Sequence, residues 1–339
     1  MKTSDFDYEL PPERIAQTPV EPRHQSRLLV VQRENHILEH VGFWNLGSYL
    51  KPGDLLVINR TRVIPARVYA RKSTGGKIEI LLLRRIDALT WEALVGGKRL
   101  TLGKKIRIEG GPTAVITGVL DGSCRQLMFH DPIEPFLDKV GHVPLPPYIH
   151  TPLKDPARYQ TVYAREPGSA AAPTAGLHFT PELMRQLEAL GIRFTEVTLH
   201  VGLDTFAPVT ENDPTQHKIH KEWCEVTPEA AAAIQITRSS GGRIVAVGTT
   251  SVRTLESAAL NSPPGQLIAP FSGFTDLFIL PGYKFRTVDA MITNFHLPRS
   301  SLLMLVSAFA GREFILNAYR DAIQSGYRFY SFGDAMLIL

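Results

Sequence analysis

Residues 243–257 read RIVAVGTTSVRTLES. The run Ile244, Val245, Ala246, Val247 is short, apolar and rich in β-branched residues, and glycines close it at both ends. That pattern is a strand buried on both faces, and the TTSVRTLESAAL behind it has the make-up of a helix. A buried strand that passes through one glycine into a helix is the joint of an α/β fold.

The neighbouring segments repeat the joint. Thr180-Pro181 opens ELMRQLEALG, a capped amphipathic helix ended by Gly191, and IRFTEVTLHVG follows as a strand. Thr227-Pro228 opens a second helix, EAAAAIQITRSS, closed by Gly241-Gly242. DAMITNF is a strand leading to the helix SSLLMLVSAFAG, then to the helix EFILNAYRDAIQSG and the closing YRFYSFGDAMLIL. Upstream, SRLLVVQR and GDLLVINRTRVIPARV supply further strands. The expected core is a mixed or parallel sheet flanked by helices, built from residues 1–65 and 150–339.

Residues 66–149 follow another rhythm. ARVYARK, KIEILLLRR, TWEALVGG, KKIRIEGG, TAVITGVLDG and CRQLMFH are alternating runs with a turn signal every eight to twelve residues. This predicts a small antiparallel β-barrel inserted into the core. HVPLPPYIHTP, with four prolines in eleven residues, ends it. The segment is also basic. From Arg60 to Arg107 there are thirteen Lys/Arg against three acids, a net +10, so the rest of the chain carries −6 of the total +4. Such asymmetry fits a domain that meets phosphates; a merely solvated basic face is the plainer alternative.

The bulk composition narrows the class. At 339 residues two domains are expected, and 44% hydrophobic with 21% charged residues is ordinary for a globular protein. Two cysteines, Cys124 and Cys224, support neither a disulfide framework nor a zinc ribbon, and a reducing, cytoplasmic setting fits best. The acidic N-terminus lacks a signal peptide's apolar run, and no window approaches the roughly 18 apolar residues of a membrane span. GxGxxG, GxxxxGK[ST], GxSxG and HExxH are all absent, which removes the usual grounds for a Rossmann dehydrogenase, a P-loop nucleotidase, a serine hydrolase or a zinc protease.

Polar residues gather where strands end. Thr249, Thr250 and Ser251 stand at a helix N-terminus suited to an anion, although one of them also serves as an ordinary cap. Asn294 and His296 leave another strand, and His200 a third. His217, His220 and Glu222 resemble a metal set in type only, since no helix or third ligand stands at a known spacing; hydrogen bonding or proton transfer suits them better.

Nine segments carry a more specific signal: DFDYELPPERIAQTP, GDLLVINRTRVIPARV, GHVPLPPYI, YQTVYAREPGSAAAPTAGLHFT, TLHVGLDTFAPV, HKIHKEWCEV, AVGTTSVRTLES, DAMITNFHLPRSSLLMLVSAFAG and YRFYSFGDAMLI. In this order they resemble the S-adenosylmethionine:tRNA ribosyltransferase-isomerase family of queuosine biosynthesis, from Asp5 to Ile338, with only the barrel loosely matched. The resemblance implies that the ribosyl part of S-adenosylmethionine is transferred and isomerised onto 7-aminomethyl-7-deazaguanine at the tRNA wobble position. The products would be epoxyqueuosine-tRNA, adenine and methionine, with no metal, no membrane and a monomeric enzyme. It makes His178, His200, His220 and His296 a pool of proton-transfer groups, with Glu222 and Asp276 as orienting or amine-binding carboxylates. Thr174, Ala175, Gly176, Thr249, Thr250, Ser251, Arg253 and Asn294 would hold S-adenosylmethionine. Arg62, Arg67, Arg71, Lys72 and Arg99 would contact tRNA phosphates. Arg60, Asp204 and Ile219 depart from the family pattern, Asp204 most sharply, because a carboxylate stands where many relatives have glycine. Two rival classes stay open: a non-catalytic RNA-binding module and an ordinary methyltransferase.

Overall fold

In the computed structural model, which describes residues 1–120, 122–202 and 208–339, the apolar runs of the sequence become strands whose side chains are buried on both sides. The chain begins with β1 (Arg27–Gln32), β2 (Ile37–Gly42), β3 (Leu55–Asn59) and β4 (Thr61–Val63). It continues through β5 (Arg67–Lys72), β6 (Lys77–Arg85), β7 (Thr90–Val95), β8 (Lys105–Ile108), β9 (Thr113–Val119), β10 (Cys124–Phe129), α1 (Glu134–Val140), β11 (Gly141–His142) and β12 (Glu166–Ser169). The remainder is α2 (Pro181–Ala189), β13 (Arg193–Leu199), β14 (Glu222–Val226), α3 (Pro228–Ser239), β15 (Ile244–Val247), α4 (Thr249–Leu260), β16 (Phe271–Thr275), β17 (Ala290–Asn294), α5 (Ser301–Ala310), α6 (Arg312–Gln324) and β18 (Ala335–Ile338).

Two compact units result: one comprises Met1–Thr61, Pro147–Glu166 and Pro173–Leu339, the other Arg62–Pro146 and Pro167–Ala172. The first holds a nine-stranded sheet in the order β16-β14-β13-β3-β15-β17-β18-β1-β2. Its centre, β13, β3, β15 and β17, is parallel, while β14, β16, β18 and β2 each run against a neighbour. This is the mixed α/β sheet the sequence predicts.

Strand parity sorts the core. Leu29, Val31, Leu55, Val57, Ile244 and Ala246 point to one face, where Ile234 of α3, Leu255 of α4, Leu303 of α5 and Ile315 of α6 cover them. Leu28, Val30, Leu56, Ile58, Val245 and Val247 point to the other, against Leu183 and Leu187 of α2 with Phe43 and Leu46. Each buried Val, Leu, Ile or Phe side chain contributes about 1.5–3 kcal/mol. The expected caps Thr180 and Thr227 are present, accepting from the N–H groups of Leu183 and Ala230 at 3.2 and 3.3 Å, and Ser300 caps α5 by accepting from Leu303 N at 3.2 Å. Among the described residues no single helix is long and apolar enough to cross a membrane; α5 and α6 satisfy that test only jointly, and they meet at 112°.

The second unit is a closed antiparallel barrel, β5-β6-β7-β10-β9-β8, sealed where β5 pairs with β8 as well as β6, with β11 added beside β5. Val68, Ala70, Ile78, Ile80, Ile106 and Ile108 fill it, and the alternate positions carry lysine and arginine outward. The short helix α1 was not expected, because EPFLDKV spans only two turns and gives too little periodicity to read.

Candidate active site at the carboxyl edge of the sheet

The strand order gathers the polar turns along one edge. β13, β3, β15 and β17 run the same way, so His200, Asn59, Gly248 and Asn294 leave the sheet together. β14 and β18 run oppositely and begin there, which adds Glu222 and Asp334. With roughly 4.8 Å between strands, Glu222 on β14 and Asn294 on β17 lie about 19 Å apart along this edge. That is a cleft-sized span.

At its centre Gly248 turns the chain from β15 into α4 with φ +89°, a conformation that favours glycine. A Cβ there would stand 3.5 Å from Thr250 Oγ1 and 3.6 Å from Ala175, so the loop 174–178 lies directly over the helix start. Ser251 Oγ donates to Val247 O at 2.8 Å and is spent inside the helix. Thr250 Oγ1 is buried without a partner, beside the unpaired N–H groups of the first turn. Gly176 is required by space: a Cβ would come within 2.0 Å of the Tyr163 hydroxyl.

His178 is 4% exposed and stacks on Phe43 with ring centroids 5.0 Å apart. Asn294 Nδ2 donates both to Tyr330 O and to His178 Nε2, each at 3.2 Å. The neutral ring therefore carries its proton on Nδ1 and donates to Ser26 Oγ at 2.7 Å. Burial, reinforced by the positive charges of Arg23 and Arg328, holds its pKa down at about 3. Asn294 Oδ1 is buried and unpartnered. His296 is likewise buried, its Nε2 2.7 Å from Thr293 Oγ1, with a pKa depressed to about 3 by burial.

His200 differs. It is half-buried, stacked on Trp223 at 5.2 Å, and its Nδ1 meets Thr61 Oγ1 at 2.9 Å, while Nε2 has no partner among the described residues. Burial lowers its pKa, with Glu166 opposing. Glu222, 7% exposed, accepts from Gly202 N at 2.8 Å and pairs with Arg253 of α4, which also donates to Leu277 O at 3.1 Å.

A family model described as a queuosine biosynthesis protein matches residues 3–338. The chain belongs to that family. It is 56% identical over 344 residues, covering all of both chains, to a protein of Symbiobacterium thermophilum named S-adenosylmethionine:tRNA ribosyltransferase-isomerase. A protein of Thermotoga maritima with the same name is 52% identical over 342 residues, again covering both in full. A solved Thermotoga maritima structure, described as S-adenosylmethionine tRNA ribosyltransferase, aligns at 44% identity over 99% of this chain and 100% of its own, with a TM-score of 0.59. The chain is thus an enzyme of the transferase-isomerase class.

Other expected site residues of this family member are not buried. His220 is exposed, and Asp276 is 65% exposed with Lys221 at 3.9 Å. His217 pairs with Glu211 at 2.9 Å, and no group of three potential metal ligands occurs among the described residues. Asp204 lies outside the described residues. On the barrel, Arg67 and Arg71 pair with Glu79 and Glu109 at 3.1 and 2.9 Å, and Lys72 donates to Lys98 O. Arg62 and Arg99 are exposed. Glu256 is fully buried and saturated by the N–H groups of Arg286, Thr287 and Val288 and by the Tyr283 hydroxyl, which makes it a structural carboxylate.

Ser26, Asn59 and Thr61 escaped the sequence reading. Asn59 accepts from Thr61 N and Leu199 N, both at 3.1 Å, and so clamps β3 to the end of β13. A polar residue closing the apolar run LLVIN was the available signal; Ser26 offered none.

Proposed function

We propose that this edge binds S-adenosylmethionine and directs its ribosyl group to 7-aminomethyl-7-deazaguanine at the tRNA wobble position, giving epoxyqueuosine-tRNA with release of adenine and methionine. The single observation that carries the reading is the pair of orphaned, buried oxygens, Thr250 Oγ1 and Asn294 Oδ1, on adjacent strand exits beneath the small-residue loop 174–178. Orphaned buried acceptors are costly and usually await a partner. A ligand with amine, hydroxyl and flat-ring parts would supply such partners.

In this reading Thr249, Thr250 and the start of α4 hold the methionine carboxylate. Asn294 Oδ1 accepts from the ribose or the base, and Gly176 with Ala175 lets the ring approach the backbone. The reaction needs a proton removed beside the sulfonium, and His200 suits that task best, with Nε2 open, Nδ1 braced by Thr61 and the ring fixed on Trp223. His178 and His296, neutral and held, act as positioning groups. Glu222 sets Arg253 and Gly202 in place. The protein would work as a cytoplasmic monomer on tRNA through the basic barrel face.

The deciding experiment incubates the protein with S-adenosylmethionine and tRNA bearing the aminomethyl-deazaguanine base. Adenine release that depends on this tRNA is expected; S-adenosylhomocysteine, or binding without turnover, would overturn the assignment. His200→Ala should lower turnover about a hundredfold or more with folding intact.

A further inference from the structure

Beside His178, at the start of β1, lies a cleft of about 20 Å³ whose polar wall includes Arg23, Ser26, Arg158, His178 and Ser331, the rest being apolar residues and Gly333. Its guanidinium groups are anchored mainly by backbone oxygens. Arg23 donates to Gln160 O at 2.5 Å and Ala157 O at 3.0 Å, Arg158 to Val20 O at 2.9 Å, and the neighbouring Arg328 to Thr18 O. Carbonyls orient a guanidinium without cancelling its charge. Carboxylates compensate only in part. Glu21, 69% exposed, pairs with Arg158; Asp155 acts on Arg23 while capping its own turn, and Asp334 is committed to the N–H groups of Arg27 and Arg328. Among the described residues neither Arg23 nor Arg328 forms an ion pair, and Arg158 Nε is buried without a partner.

We propose that Arg23, Arg158 and Arg328 form an oxyanion seat at the mouth of the His178 cleft, and that it takes a phosphodiester of the RNA substrate. The inference rests on the function proposed above. The cleft has room for about one oxygen atom, so the anion enters by a single oxygen and leaves the rest of its group outside. A chain phosphate meets that demand. A methionine carboxylate belongs instead at α4, which the strand order sets three strands, about 14 Å, away. Each substrate then has its own anion seat, with Asn294 and His178 between them.

The test uses Arg23→Gln and Arg158→Gln in the full chain, each checked for native circular dichroism and melting. The Kd for tRNA should rise about tenfold and its salt slope fall by about one, with the KM for S-adenosylmethionine unchanged. A raised KM for S-adenosylmethionine with unchanged tRNA binding would reassign the seat to a carboxylate, and no change in either would overturn it. The unmutated protein gives an independent reading: tRNA, but not S-adenosylmethionine, should shield Arg23 and Arg158 from phenylglyoxal, as read by mass spectrometry, and loss of that shielding refutes the seat whether or not a variant folds. Because binding is read directly, failure of adenine release in the unmutated enzyme would count against the proposed function and not against the seat.

Discussion

The sheet edge and the barrel wall use polar residues in opposite ways. At the edge they are few and buried, and two of their oxygens lack partners. On the barrel they are many and exposed, and much of the charge is already spent: Arg67, Arg71, Arg84 and Arg85 face Glu79, Glu109, Glu92 and Glu134. Glu109 and Glu134 come from beyond the segment that carries the +10, so sequence charge overstates the free charge of the wall. Density of charge marks a surface. Unpartnered buried atoms also occur elsewhere, as at Trp91 Nε1 in the barrel and Ser307 Oγ in α5, so the edge is distinguished by two such oxygens on adjacent strand exits, a cost that a ligand would relieve.

The contrast can be broken experimentally, beginning with its strongest element. Arg253→Met removes the guanidinium that faces the buried Glu222 carboxylate and should cost about 3–5 kcal/mol in urea unfolding; a loss below about 1 kcal/mol would mean the pair is solvated and the edge is not dry. Gly176→Ala forces a Cβ against the Tyr163 hydroxyl and should cost about 1–3 kcal/mol while raising the KM for S-adenosylmethionine. Unchanged stability would show that the loop yields freely.

A third test uses pH. His178 and His296 are held neutral with pKa values of about 3, against 6.5 for the free ring, so the unfolded chain takes up protons first as pH falls. Stability is fully present above about pH 6.5 and is lost below it, by up to about 1.4 kcal/mol per pH unit for each ring. His178→Asn should flatten that slope; an unaltered slope would mean the ring is protonated in the native state. The smallest effect belongs to the barrel unit. Arg62→Ala, at an exposed position, should change stability by less than about 1 kcal/mol yet reduce the salt slope of tRNA binding by about one.

How much of this was legible depended on range. Caps at Thr180 and Thr227 and the turn at Gly248 act over four residues and were readable directly, whereas the choice between Ser300 and Ser301 at α5 was not. The barrel was readable as alternating runs, but its closure by β5 and β8, thirty-odd residues apart, was not. Thr249 to Ser251 and Asn294 were legible as polar strand exits, because strand ends are local signals. The partner of His178 was not, because Ser26 is 152 positions away and has no motif of its own. His220 and Asp276 shared the residue types of a site and ended up exposed.

The sequence by itself determined the element types, their caps, the two-unit layout of sheet and barrel, and, through nine ordered segments, the family. Tertiary structure alone decided which polar groups are dry, which charges are cancelled and which nitrogen of His178 carries the proton. Periodicity and capping are written in neighbouring residues, whereas desolvation and pairing depend on strands brought together from opposite ends of the chain.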